Sequence, residues 1–146
     1  MFQSSYFIRV SLMAMLLSIT SSAQKLDTKS LREILSKQGF TGLLQGKITF
    51  KFLGNMRCSS AALGVYYYTW EETNPPGRAI HFSQRLIFIE NQSYLGQYVI
   101  ADRPTLIKAD SLRFPYPKDD GNTIQCDQNG LPELVHLGGG DIPLER

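Results

Sequence analysis

The sequence predicts an α+β fold that is mainly β: an N-terminal helix packed on a strongly curled antiparallel sheet, a meander or a small barrel. Three observations predict it. Residues 85–100 form two runs rich in β-branched and aromatic side chains around a polar break at Asn91-Gln92. Beyond Phe40, glycine, proline, asparagine and aspartate punctuate the chain at the short intervals of a strand-and-turn protein. Helical spacing of apolar residues is confined to one short stretch after residue 25.

The first 23 residues are expected to be a signal peptide rather than part of that fold. Met1–Arg9 carries one basic side chain and no acid, Val10–Ile19 is mostly apolar, and Thr20-Ser21-Ser22-Ala23 supplies small residues for cleavage after Ala23. The apolar run is well short of the about 20 residues a membrane-spanning helix needs. No cysteine lies near the cleavage point, which excludes a lipoprotein anchor. Residues 24–146 then form a single domain, periplasmic or secreted. Arg9 is the only charge removed, so the net charge falls from +2 to +1. Such a balance, with both signs interspersed, argues against nucleic acid and against a polybasic membrane surface.

The helix is expected over Leu26–Gly39, with Leu31, Ile34 and Leu35 on one face. Asp27 suits the N-cap, Ser30 and Glu33 offer a capping box one turn later, and Gly39 suits the position after the C-cap. A helix this short needs a sheet to lie on. Lys47–Phe52 alternates, with Ile48, Phe50 and Phe52 inward, and predicts a half-buried strand. Gly54-Asn55 predicts a turn toward Cys58, Ala62–Trp70 the next strand, and Glu71–Gly77 an exposed loop.

The central hairpin follows. A two-residue turn at Asn91-Gln92 would place Ile87, Ile89, Tyr94, Gly96 and Tyr98 on one face and Leu86, Phe88, Leu95 and Val99 on the other. Gly96 would then oppose Ile87, suiting close packing or a bulge. Apolar residues on both faces predict a hairpin covered on both sides.

In the last third, Leu106–Phe114 reads as a strand interrupted near Ala109-Asp110. A three-residue loop Asp119-Asp120-Gly121 would pair Tyr116 with Ile124 and Phe114 with Cys126. Asn129-Gly130 reads as a turn, Leu134–Leu137 as a strand, Gly138–Asp141 as the last turn, and Ile142–Leu144 as a short edge strand. Cys58 and Cys126, an even count behind an export signal, predict one disulfide worth on the order of 4 kcal/mol at most.

No catalytic set is expected. His81 and His136 sit among apolar strand residues, where a histidine is usually a sheet-face side chain; acid–base work would require a carboxylate or nucleophile in reach of one ring. Glu71-Glu72 and Asp119-Asp120 lie in predicted loops, where adjacent carboxylates diverge. No metal-ligand spacing and no phosphate-cradling glycine loop occurs, so neither metal nor cofactor is expected. Asn91-Gln92-Ser93 matches the N-glycosylation pattern, which matters only in a eukaryotic host.

The stronger signal is aromatic. In Val65–Trp70, Tyr66, Tyr68 and Trp70 share one face and Tyr67 takes the other, and such side chains serve either a core or an interface. With the loop stiffened by Pro75 and Pro76, these residues are the candidate binding surface. In size, export signal, disulfide and strand content the chain resembles, as a class only, small envelope inhibitors, immunity proteins and ligand carriers. The expected function is binding of a protein partner, with a small apolar or carbohydrate ligand as the alternative.

Overall fold

The computed structural model describes residues 22–72 and 81–146. Residues 1–21 of the expected signal peptide (residues 1–23), and Pro75 and Pro76, lie outside them. The elements are α1 (Thr28–Lys37), β1 (Lys47–Cys58), β2 (Ala61–Glu71), β3 (Phe82–Glu90), β4 (Ser93–Val99), β5 (Leu106–Ile107), β6 (Ser111–Arg113), β7 (Thr123–Gln125), β8 (Leu134–Leu137) and β9 (Gly140–Pro143). A 3₁₀ turn at Lys118–Asp120 separates β6 from β7.

The meander is present: β1-β2-β3-β4 form one antiparallel sheet in chain order. Among the described residues no sheet is strongly curled or closed into a barrel, because the remaining strands fall into separate sheets, β5-β6-β7 and β8-β9. The result is three layers. Helix α1 covers one face of the four-stranded sheet, packing Leu31 and Leu35 onto Tyr66, Tyr68, Ile87 and Ile89. The opposite face buries Met56, Leu63, Val65, Leu86, Phe88 and Tyr98 against Leu112, Phe114, Ile124, Leu131 and Val135.

Local chemistry explains the helix ends. Asp27 is the N-cap and accepts a hydrogen bond from Ser30 N at 2.8 Å. Ser30 Oγ donates to the same carboxylate at 3.0 Å, so Ser30 serves this cap and not one a turn later. Gly39 follows the C-cap with φ +88°, the left-handed conformation glycine adopts without a steric cost.

Two bulges correct the predicted register. Phe52 pairs with Tyr66 but Gly54 with Val65, leaving Leu53 as an extra residue. Gly54-Asn55 is therefore part of a continuous β1, and the chain reverses at Ser59-Ser60 instead. The bulge moves the even-numbered positions of β1 from the α1 face to the other, and so carries Met56 and Cys58 into the second core. Cys58 meets Cys126 there as expected, with a Cα–Cα distance of 5.3 Å.

In the central hairpin Asn91 and Gln92 both have positive φ, as the predicted two-residue turn requires. Past Ile89–Tyr94 the register shifts, so Gly96 opposes Phe88 rather than Ile87. Tyr98 consequently joins Leu86 and Phe88 instead of Ile87. Gly96 is where the sheet touches the chain's last residues, since a Cβ there would lie 2.8 Å from the Glu145 carbonyl oxygen.

The β6–β7 register also differs: Leu112 pairs with Ile124, and Phe114 N donates to Asn122 O at 2.7 Å. Pro115 and Pro117 have no N–H to give a ladder, so pairing stops at Phe114 and the connection lengthens. In the last hairpin the turn is Gly138-Gly139, and β9 starts at Gly140, earlier than expected.

Candidate functional site

Strand β2 divides the predicted aromatic surface between two faces. Tyr66 and Tyr68 are buried beneath α1. Their polar tips are occupied within the chain. Tyr66 Oη accepts from Leu26 N at 2.8 Å, Tyr68 Oη donates to the Leu43 carbonyl at 2.5 Å, and Trp70 Nε1 donates to the Gln45 carbonyl at 3.0 Å. Three alternate residues of one strand thus hold the segment that enters α1 and the segment that leaves it. Burial pushes the Tyr66 and Tyr68 hydroxyls above the ordinary phenolic range. This half of the aromatic signal belongs to the architecture, and Tyr66 and Tyr68 have almost no surface left for a partner.

Tyr67 points to the other face, where it marks the limit of the cover supplied by the C-terminal layer. Cross-strand neighbours there form three rows: Lys51–Tyr67–Leu86, Thr49–Thr69–Gln84 and Lys47–Glu71–Phe82. Leu86 is fully buried, Tyr67 half-buried, and Phe82 retains 54% of its surface. The uncovered half-face runs outward from Tyr67. The Tyr67 hydroxyl donates to Gln84 Oε1, Gln84 Nε2 donates to the Ala101 carbonyl at 2.7 Å, and the Arg103 guanidinium lies 5.7 Å from the Tyr67 ring centre. Burial is the main cause that raises the Tyr67 hydroxyl, and the Arg103 charge opposes it.

Electrostatically the half-face is cationic. Lys47 Nζ lies 2.7 Å from Glu71 Oε2, whereas Lys51 and Arg103 have no ion-pair partner among the described residues. An aromatic ring next to Lys51 and Arg103, with the Asp102 carboxylate also close enough to act on its hydroxyl, suits a partner surface that combines acidic groups with some apolar area. Beyond the outermost row of the half-face, Glu72 N donates to the His81 carbonyl at 2.9 Å.

Two concavities add to the inventory. Beside the disulfide, a cleft of about 320 Å³ has a floor of Leu63, Leu95, Leu131 and Leu144 and a rim that includes Glu90 and Arg146. On the α1 side, a groove of about 550 Å³ runs between the start of α1 and β1 and is lined by Leu31, Phe50, Phe52 and Tyr66. Sequence reading missed both, because each is assembled from segments far apart in the chain.

Both histidines stand near carboxylates. His136 Nδ1 is 2.8 Å from Asp141 Oδ1, and His81 Nε2 is 3.8 Å from Glu72 Oε2. Both rings are exposed, and no hydroxyl or thiol is hydrogen-bonded to His136 among the described residues. The His136–Asp141 pair bridges directly opposed positions of the β8–β9 hairpin, a cross-strand contact that steadies the hairpin.

The chain matches no protein-family model, and comparison with curated proteins and with solved structures finds no match either.

Proposed function

We propose that this chain is an exported domain that binds another protein, of the kind that blocks an envelope or secreted enzyme or toxin. The observation that carries the reading is the uncovered half-face, where half-buried Tyr67 lies next to Lys51 and Arg103 and the exposed Phe82 stands two rows further out. Aromatic and arginine side chains on a rigid frame supply most of the energy of protein interfaces, because they bury much area at little entropic cost. A disulfide joining two layers and the absence, among the described residues, of a helix long and apolar enough to cross a membrane are in keeping with an exported chain.

The test is affinity capture from an envelope extract with the oxidised mature chain, alongside a variant carrying Phe82→Ser and Arg103→Glu. A stoichiometric partner retained by the parent and lost by the variant is expected, with circular dichroism unchanged. Capture of no such partner, or equal capture by both, overturns the reading.

A second reading, a carrier of a small apolar or carbohydrate ligand, is supported by the leucine-floored cleft beside Cys58, whose size lies at the lower end for ligand sites. Leu95→Trp, which fills that cleft, should abolish binding of a fluorescent apolar probe; undiminished binding sinks the carrier reading.

A further inference from the structure

The two margins of the four-stranded sheet are treated differently. On β4, Gln97 N donates to the Glu145 carbonyl at 2.8 Å and Glu145 N returns the bond to Gln97 O at 2.9 Å. The last residues of the chain therefore lie against that margin. On β1, the other margin, Arg57 N bonds to the Ala109 carbonyl near the far end. Among the described residues, Lys47–Phe52 makes no backbone hydrogen bond on its outer side. At about 3.3 Å per residue, that is roughly 20 Å of strand with unpaired N–H and C=O groups.

We propose that this open margin takes up an extended segment of the protein partner as a fifth strand, a segment in which apolar and acidic residues alternate. The proposal rests on the protein-binding reading above and names how the partner is recognised. Side chains of an added strand would project alternately to the two faces. On the α1 side they would meet a groove in which the half-buried Phe50 and Phe52 offer apolar contact, beside the polar Lys25, Asp27 and Thr28 that also line it. On the other side they would meet Lys47, Thr49 and Lys51, and Lys51 has no carboxylate partner among the described residues. That side calls for acids. The same face continues across Lys51 to Tyr67, so the strand and the half-face form one surface.

The margin discriminates against a second copy of this chain. Antiparallel self-pairing centred on Thr49 would set Lys47 of each copy opposite Lys51 of the other, and like charges directly opposed are unfavourable. The lysines that discourage self-association are thus the ones that would favour an acidic strand.

Short synthetic peptides in which valine alternates with glutamate, or with lysine, test this by titration into the isotope-labelled mature chain. The acidic peptide should shift the amide resonances of Lys47–Phe52 and bind about tenfold more tightly than the basic one. The variant carrying Lys47→Glu and Lys51→Glu should reverse that order. Equal binding of the two peptides, no binding of either, or shifts centred on the Cys58 cleft would overturn the proposal. If the charge-reversed variant still captures the parent's partner from extract, the margin is not the docking site, although the protein-binding reading survives. If the parent captures none, that reading falls by itself.

Discussion

At the scale of single residues, the least replaceable position is Gly121. Its φ is +74°, and a Cβ there would lie 2.0 Å from the His136 carbonyl oxygen, so backbone must move to admit any other residue. Gly121→Ala should cost about 3 kcal/mol of stability, read as a lower urea midpoint with an unchanged slope. Asp27 gives a pH prediction. Its hydrogen bonds from Ser30 hold the carboxyl below its ordinary value of 3.8. A lowered folded value means that this contribution is present above the ordinary value and is lost as pH falls through the folded one. Asp27→Asn keeps a capping oxygen but does not titrate, so its acid-unfolding limb should be shallower than the parent's. An identical limb in both proteins would remove Asp27 from the account. The cap was legible because capping is local chemistry within three residues. The fate of the tyrosines was not, since alternation puts Tyr66 and Tyr68 on one face without saying that α1 covers it.

At the scale of elements, α1 is held by two fully buried leucines and by three polar tips of β2. Leu31→Ala should cost about 2–4 kcal/mol, because the lost side chain leaves a cavity over Tyr66 and Tyr68. Amide exchange should then rise in Thr28–Lys37 before it rises in β3. The disulfide joins the last residue of β1 to the residue after β7 across 68 positions of sequence. Replacing both cysteines by alanine should cost about 4 kcal/mol on the loop-closure account, measured by thermal unfolding at constant pH. The strands and turns were legible from alternation and from glycine, proline and asparagine. Register was not, wherever a bulge intervened. Leu53 and Leu95 are the extra residues; Gly96 pointed to a bulge beside Leu95, whereas Gly54 beside Leu53 reads as a turn. Their effect is long-range, directing Cys58 toward Cys126 and Tyr98 into the second core.

At the scale of the whole molecule, all six tyrosines beyond residue 23 have hydroxyls pushed above the ordinary value of 10.0, each chiefly by burial. Tyr94 is pushed up to about 12, with the Glu145 carboxylate adding to the effect of burial. A phenol with a raised folded value stabilises the fold fully below its ordinary value and loses that contribution as pH rises through the folded one. Alkaline titration should therefore show phenolate absorbance rising together with the loss of tertiary circular dichroism, in one cooperative step above pH 10.0. Gradual ionisation with the dichroism intact would contradict the burial on which the three layers depend. The three-layer order itself was only partly legible. Apolar residues on both faces of the central hairpin foretold two covers. That the second cover is two small sheets and not a closing barrel follows from Pro115, Pro117 and the glycine turns that end each ladder early.

The unlike margins of the main sheet also set a limit on stoichiometry. With Gln97 of β4 already paired to Glu145, the proposed strand addition has the β1 margin of this sheet to use. On that proposal each chain offers one open margin of its main sheet and takes up one partner segment there.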